Sequence, residues 1–494
     1  MKNLQRCIFS SPGLFLVWLL AIVTLTGCGS EDDGEAAATQ SIKFNNATDL
    51  VQESAADYDD NRYGLITGET LEHWLDDWSG NRPAGIEGDL IILQVADGYR
   101  EDIKYVTPNE SQGIYVYSVP SSRWVMTRSN GVTETVSMVL DGPRMDGLLS
   151  FYAINPAQDM IVFVSGTGGN FQNMLMGRGW YLFRYWGTEA RHLAILNGSI
   201  AHELPASRLS DTASTPPGTG TATVKDLPTD NTALQVTLGE MINAAKTQDP
   251  DIFIWDSRSP AEYNGELRKT RGATGTSCGD VDGDGVADAD YDGSGTIDAS
   301  DKQCYSAFEG HPRGAVNLNF TELLIKDDGT EDFDGDGNPD ASYRYKSKSD
   351  LQDLVASIGY DDAQTIYTYC RTTYRAMITG VVTAVILGYP VRFYDGAMIE
   401  WLQLANWPNT TGNNNLPETS PWRTDLVSVA NYNESAVVEP PTIIDPYAPT
   451  SDLVIQEDKA YKAGPGSAAP VVSDGGNSGG GGTPSLPSNP CGGI

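Results

Sequence analysis

Histidine is scarce in this chain, with four in 494 residues, and no Cys-x-x-Cys-His run occurs. That leaves little ligand stock for a transition-metal enzyme and excludes c-type haem attachment. Basic residues are also few: 32 Lys and Arg stand against 66 Asp and Glu, a net charge of −34. So acidic a body is unsuited to nucleic acid or to direct contact with an anionic lipid surface, and suited to cation sites. Cysteine is limited to six positions, Cys7, Cys28, Cys278, Cys304, Cys370 and Cys491, so each has to be weighed singly. At 494 residues the chain is too long for one ordinary core, and two domains plus tails are expected.

The N-terminus reads as an address. Lys2 and Arg6 precede the apolar run LFLVWLLAIVTL, too short for a membrane span and right for a signal peptide. The run ends in Leu25-Thr26-Gly27-Cys28, which resembles the bacterial lipobox. The resemblance implies cleavage before Cys28, acylation (palmitate) of that thiol and, with Gly29 next, sorting to the outer membrane as a lipid-anchored lipoprotein of the cell envelope. The bilayer then meets a lipid and not the protein body. In that oxidising setting Cys278 and Cys304, which flank an Asp/Gly-rich segment, are the natural disulfide pair.

Composition divides the chain into a signal (1–27), an acidic tether (28–61), a globular stretch (62–202), a Pro/Ser/Thr/Gly linker (203–232), a second globular stretch (233–407) with an insertion at 269–345, and a low-complexity tail (408–494). The tail is expected to bury no core, although DLVIQEDKAYKA, 452–463, has the makings of a strand. The globular stretches echo each other. DLIILQVADGY ends near Asp97 and DMIVFVSGTGGN at Ser165; DIFIWDSRSPAEY has a strand ending at Asp256, and AQTIYTYC one ending at Cys370. A helical, then a strand-turn-helix pattern follows in both. Alternating strands and helices predict an α/β fold with parallel sheets flanked by helices. Asp97 to Ser165 is 68 positions and Asp256 to Cys370 is 114; the excess of 46 is close to the length of the Asp/Gly insertion, as duplication of one unit would give.

Cys370 lies where a strand ends, a short loop runs and a helix starts near Ala376. Main-chain N–H groups of such a loop converge, and the helix mouth adds partial positive charge, so a thiolate or a persulfide anion is favoured there. Arg371 and Arg375 add full charges suited to an anionic donor, and Arg375 is equally suited to holding the loop in shape. Four ordered blocks, WDSRSPAEY, GHPRGAVNL, YCRTTYRA and LGYPVRFYDG with Glu400-Trp401 behind it, resemble the rhodanese (sulfurtransferase) family over most of 234–407. The resemblance implies two rhodanese-like domains, with Cys370 as nucleophile, Arg371, Thr372, Thr373, Tyr374 and Arg375 lining the loop, Asp256 and Arg258 bracing it, and His311 a fold residue. The first domain, with Ser165 in place of Cys370 and Tyr99 in place of Arg258, is expected to be catalytically silent. A buried structural thiol is the plainer alternative for Cys370. A phosphatase-like site is disfavoured, since Cys370 to Arg375 spans Cys-x4-Arg and not Cys-x5-Arg. Ser165 lacks a nucleophile-elbow context, and SGTGGN lacks the Lys-Ser/Thr of a Walker motif.

In the insertion, Asp290, Asp292, Ser294, Thr296, Asp298 and Asp301 fall on positions 1, 3, 5, 7, 9 and 12 of an EF-hand loop, with Gly295 at the turn. Asp280, Asp282, Asp284 and Asp288 repeat the pattern upstream; Asp332, Asp334, Asp336, Asn338 and Asp340 repeat it downstream, each with tyrosine at twelve. These resemble Asp/Gly calcium repeats and dockerin-type modules, so structural Ca2+ is expected, and no cofactor for catalysis. The combined expectation is a sulfurtransferase moving sulfane sulfur from a small anionic donor such as thiosulfate to a thiophilic acceptor. The competing expectation is a non-catalytic, calcium-dependent envelope assembly protein using the same fold as scaffold.

Overall fold

The computed structural model of the protein describes residues 42–96, 104–166, 172–265, 310–328, 341–405, 416–429 and 442–464. Short apolar runs bounded by glycine and proline pair into two parallel sheets. The first contains β1 (Gly64–Ile66), β2 (Leu90–Ala96), β3 (Ile114–Pro120), β6 (Met160–Ser165) and β7 (Leu193–Ser199), in the order β1-β7-β6-β2-β3. A separate antiparallel hairpin, β4 (Met126–Ser129) and β5 (Glu134–Met138), stands between β3 and β6 in sequence. The second sheet contains β8 (Ile252–Asp256), β9 (Val316–Asn317), β10 (Thr365–Tyr369) and β11 (Val391–Phe393), in the order β9-β8-β10-β11. All neighbours in both sheets run parallel. With β1 set aside as an extra edge strand, the two orders superpose strand for strand. The strand ending at Ser165 occupies the place of the strand that ends one residue before Cys370, as duplication predicts.

Strand periodicity decides which core each side chain joins. From β2, Ile91, Leu93 and Val95 enter one apolar cluster, and Leu90 and Ile92 enter another. From the second sheet, Phe253, Trp255 and Ile366 join that same first cluster, and Ile254, Tyr367 and Tyr369 a third. One apolar layer therefore lies between the sheets and belongs to both halves. Within it run α1 (Asn173–Tyr185) and α3 (Tyr374–Val381), the helices that follow Ser165 and Cys370. They touch closely because Gly177 has no side chain: a Cβ there would lie 2.8 Å from Met377 Cβ and 3.1 Å from its carbonyl oxygen. Beyond α3 the helix widens into a π-helical turn, Val382–Ile386. Its carbonyls are taken up by residues expected to belong to the acidic tether (28–61), Gln52 N–H donating to Ala384 and Ser54 N–H to Ile386 at 2.8 and 3.0 Å, so this part of the stretch, with Leu50 buried, is packed body and not tether.

Three further elements are α2 (Pro260–Asn264), α4 (Ala397–Gln403) and α5 (Leu453–Ala463). The last corrects the expected strand at 452–463. Val454, Asp458 and Lys462 recur at fourfold spacing and are buried, which only a helix achieves. It docks on the first half: Arg128 grips Asp458 at 2.7 and 2.8 Å, and Tyr185 donates to the same carboxylate at 2.7 Å. Residues 416–429 and 442–464, inside the expected low-complexity tail, thus contribute to the packed body, with Leu416 and Val454 buried. Residues 203–232, expected as a linker, also lie against it, burying Val224 and Asn231. No helix among the described residues is long and apolar enough to cross a membrane.

Candidate active site

The local fold around Cys370 follows from one left-handed residue. β10 ends at Tyr369, Cys370 follows, and α3 opens at Tyr374. The chain turns between them because Thr373 adopts φ 68°, a conformation that costs a non-glycine residue about 1–3 kcal/mol. Its hydroxyl offsets this by donating to the carbonyls of Tyr394 and Asp395 at 3.2 and 3.0 Å. The amides of Met398 and Ile399, in the first turn of α4, donate to the carbonyls of Cys370 and Arg371, both at 3.1 Å. The Cys370 loop is thus clasped by the turn between β11 and α4. Cys370 is a free thiol and fully buried; Arg371, Thr372, Thr373, Tyr374 and Arg375 are buried with it.

Two ion pairs hold this loop from the side of β8. Asp256 and Arg258, the Asp-x-Arg after the strand, are fully buried and bonded to one another, Arg258 Nη2 reaching Asp256 Oδ2 at 2.5 Å. Tyr369, the residue before Cys370, donates its hydroxyl to the same carboxylate at 2.8 Å. Asp256 and Arg258 thus reach, through the Tyr369 hydroxyl, the residue before Cys370. The second pair joins Arg375 to Glu262 through two bonds of 2.6 and 2.8 Å. Burial pushes the Glu262 carboxyl up, but the Arg375 guanidinium outweighs it and holds the acid at about 2. The fork of Arg375 is engaged in shaping the loop, the second of the two roles its position allowed.

Glu262 is a residue that sequence reading passed over. Its signal was present: Ser259-Pro260-x-Glu262 is a capping box with proline at the first helical position. Glu262 accepts from the Ser259 amide and hydroxyl at 3.1 and 3.0 Å while also holding Arg375. Its partner, 113 positions away, was not legible. His311 stacks on the Tyr263 ring, centroids 3.7 Å apart, and donates from Nδ1 to the Tyr263 carbonyl at 2.9 Å, as suits a fold residue. Burial lowers its basicity.

Residues 310–328 and 341–345, expected as part of an insertion at 269–345, belong instead to the packed body, with β9 pairing to β8 in the second sheet. The described chain breaks off after Gly265, at the end of α2, and resumes at Gly310. Gly310 donates its amide to the Glu262 carbonyl at 2.9 Å and accepts from Arg258 Nη2 at 2.5 Å. The expected calcium ligands Asp280, Asp282, Asp284, Asp288, Asp290, Asp292, Ser294, Thr296, Asp298, Asp301, Asp332, Asp334, Asp336, Asn338 and Asp340 lie outside the described residues. So do Cys28, Cys278, Cys304, Asp97 and Tyr99. Among the described residues no group of three or more His, Cys, Asp or Glu is placed to hold a metal. In the first half, Ser165 is buried at the equivalent strand end and donates to the Gly198 carbonyl at 3.3 Å.

Residues 237–404 match the family model of the rhodanese-like domain. The sulfur carrier protein TtuD of Thermus thermophilus is 27% identical over 168 residues, 34% of this chain and 44% of that protein. The chain thus spans less than half of that relative. The thiosulfate sulfurtransferase of Azotobacter vinelandii is 25% identical over 299 residues, 59% of this chain and 84% of that protein. Among solved structures, the anaerobic ergothioneine biosynthesis enzyme of Chlorobium limicola aligns over 72% of this chain and 71% of its own, at 17% identity and a TM-score of 0.45.

Proposed function

From a rhodanese-like domain at residues 237–404, we propose that this protein is a sulfurtransferase working through a Cys370 persulfide. The observation that carries the reading is the placement of Cys370 at the end of a central parallel strand, followed by a braced turn into the mouth of a helix. That is where a parallel sheet presents its chemistry and where a terminal sulfur anion is stabilised. In the first step the Cys370 thiolate attacks the outer sulfur of thiosulfate. The S–S bond of the donor breaks, sulfite leaves with its electron pair, and Cys370 holds the persulfide anion. In the second step cyanide, or a thiolate, attacks the terminal sulfur and releases the Cys370 thiolate with thiocyanate, or a new persulfide, as product. No net oxidant is required. The buried pairs Asp256–Arg258 and Glu262–Arg375 keep the loop in shape through both steps.

The same reading includes acylation at Cys28, anchoring to the outer membrane, a Cys278–Cys304 disulfide, and calcium held by the insertion, with the sulfur donor reaching the anchored body from the envelope space. The scaffold alternative is favoured by one observation, the complete burial of Cys370. Both are tested by thiosulfate:cyanide turnover of the wild type and Cys370→Ser, with peptide mass spectrometry after thiosulfate. A gain of about 32 Da, one sulfur atom, on the Cys370 peptide and loss of turnover in the variant are expected. Equal turnover in both proteins sinks the enzyme, and absence of the adduct leaves the scaffold.

A further inference from the structure

The first half carries a serine where the second carries Cys370, yet its polar contacts converge on the second half's site. Arg178 projects from α1 and is fully buried. Its guanidinium forks onto both carboxylate oxygens of Asp395, with Nη2 to Oδ2 at 3.2 Å, and Nη2 also donates to the Ser137 carbonyl at 3.0 Å. The Val139 amide donates to the same carboxylate at 2.7 Å. The guanidinium carbon also lies 5.9 Å from the centre of the Tyr374 ring, inside the loop itself. Asp395 belongs to the turn that clasps Cys370: its carbonyl accepts from Thr373, and the amides of Met398 and Ile399 just beyond it hold the Cys370 and Arg371 carbonyls. Hydrogen bonds joined by the three-residue main-chain step from Asp395 to Met398 therefore connect a helix of the first half to the main chain of Cys370.

A buried ion pair is a poor way to gain stability, since desolvation cancels most of its attraction and apolar side chains of similar size pack as well. What a two-pronged guanidinium–carboxylate contact supplies, and an apolar contact does not, is a fixed direction. We infer that Arg178 and Asp395 are a positioning pair through which the first half sets the geometry of the Cys370 loop. Its kinetic consequences rest on the sulfur-transfer reading; its geometric ones do not.

The pair Arg128–Asp458 provides an internal control. It is also buried, and it ties α5 to the first half, but the hydrogen bonds of its two side chains go to Val454, Glu457 and Tyr185 and not to the loop or its clasping turn. The experiment compares Arg178→Met, Arg178→Lys and Arg128→Met in the full chain. Three quantities are read: unfolding temperature, the native-state rate at which iodoacetamide modifies the Cys370 peptide, and kcat and KM for thiosulfate. Both methionine variants are expected to lower the unfolding temperature. Only Arg178→Met is expected to raise the alkylation rate of the buried thiol while lowering kcat, each roughly 10- to 100-fold, with Arg178→Lys between it and the wild type. A folded Arg178→Met with wild-type alkylation rate and kcat overturns the inference. So does an Arg128→Met variant that changes both as Arg178→Met does, since the effect is then general loosening. If the wild type transfers no sulfur, the sulfur-transfer reading fails alone, and the alkylation rates still decide whether Arg178 positions the loop.

Discussion

Glu400 offers a prediction whose size follows from its surroundings. It lies one turn into α4, 2% exposed, and faces the hairpin of the first half. Asn130 donates to Oε1 at 2.6 Å, Thr135 to the same oxygen at 3.4 Å, and Tyr394 to Oε2 at 2.7 Å. Burial dominates these bonds and raises the acid to about 7, with the Asp395 charge pushing the same way. The folded protein therefore keeps a proton on Glu400 through a range in which the unfolded chain has lost it. The contribution to stability is complete below the ordinary carboxylate value and declines as pH rises toward 7. At about 1.4 kcal/mol for each pH unit, the decline sums to roughly 3 kcal/mol. Other raised acids, Asp458 at about 6 and Glu203 at about 7, slope in the same direction, so a difference measurement is needed. Glu400→Gln keeps the size and the Oε1 acceptor but cannot ionise. Denaturant unfolding of wild type and variant, from pH 4.5 to 8, should give a stability difference that moves by roughly 3 kcal/mol in favour of the variant. A difference that stays level within about 1 kcal/mol refutes a buried, protonated Glu400 and with it the packing of α4 on the hairpin.

Two further outcomes follow from the bracing layer and the insertion. Arg375→Met leaves Glu262 buried without its guanidinium and should cost roughly 3–5 kcal/mol, read by urea unfolding. The wild-type advantage should vanish on acidification below the ordinary carboxylate value toward about 2, where Glu262 takes up its proton. Millimolar Ca2+ should raise the unfolding temperature and a chelator reverse it, with Asp290→Ala and Asp292→Ala blunting the response; an unchanged temperature would remove calcium from the account.

The sheet architecture was legible because each strand is a short apolar run ended by a polar or glycine-rich turn, and because those runs recur in matched order. Cys370 stood out because it closes one such run ahead of a helical pattern. Partnerships were not legible. Arg375 reads as a cation in sequence, but its charge is balanced by Glu262 on a helix 113 positions earlier, and local spacing carries no trace of that. Arg178 was likewise hidden inside a segment read only as a helix. The 203–232 segment read as a linker because proline, serine and threonine dominate it. Yet Asp146 accepts from the Thr223 hydroxyl and Val224 amide at 2.6 and 2.8 Å, satisfying irregular backbone without a regular element. The stretch 452–463 was expected as a strand, and the fourfold spacing of Val454, Asp458 and Lys462 was the signal that marks it as a helix.

The ends of the described body cross over. Gln52 and Ser54, near its start, pair with carbonyls of the second half, whereas α5, near its finish, supplies Asp458 to Arg128 in the first. A ribosome or a translocation pore delivers such a chain in one direction. The earlier-made half must wait, with Arg128 and Tyr185 still in water, until some three hundred later residues have passed. Docking of α5 is thus a late event, and a product lacking it would be recognisable to quality control by the unfilled slot beside Arg128 and Tyr185.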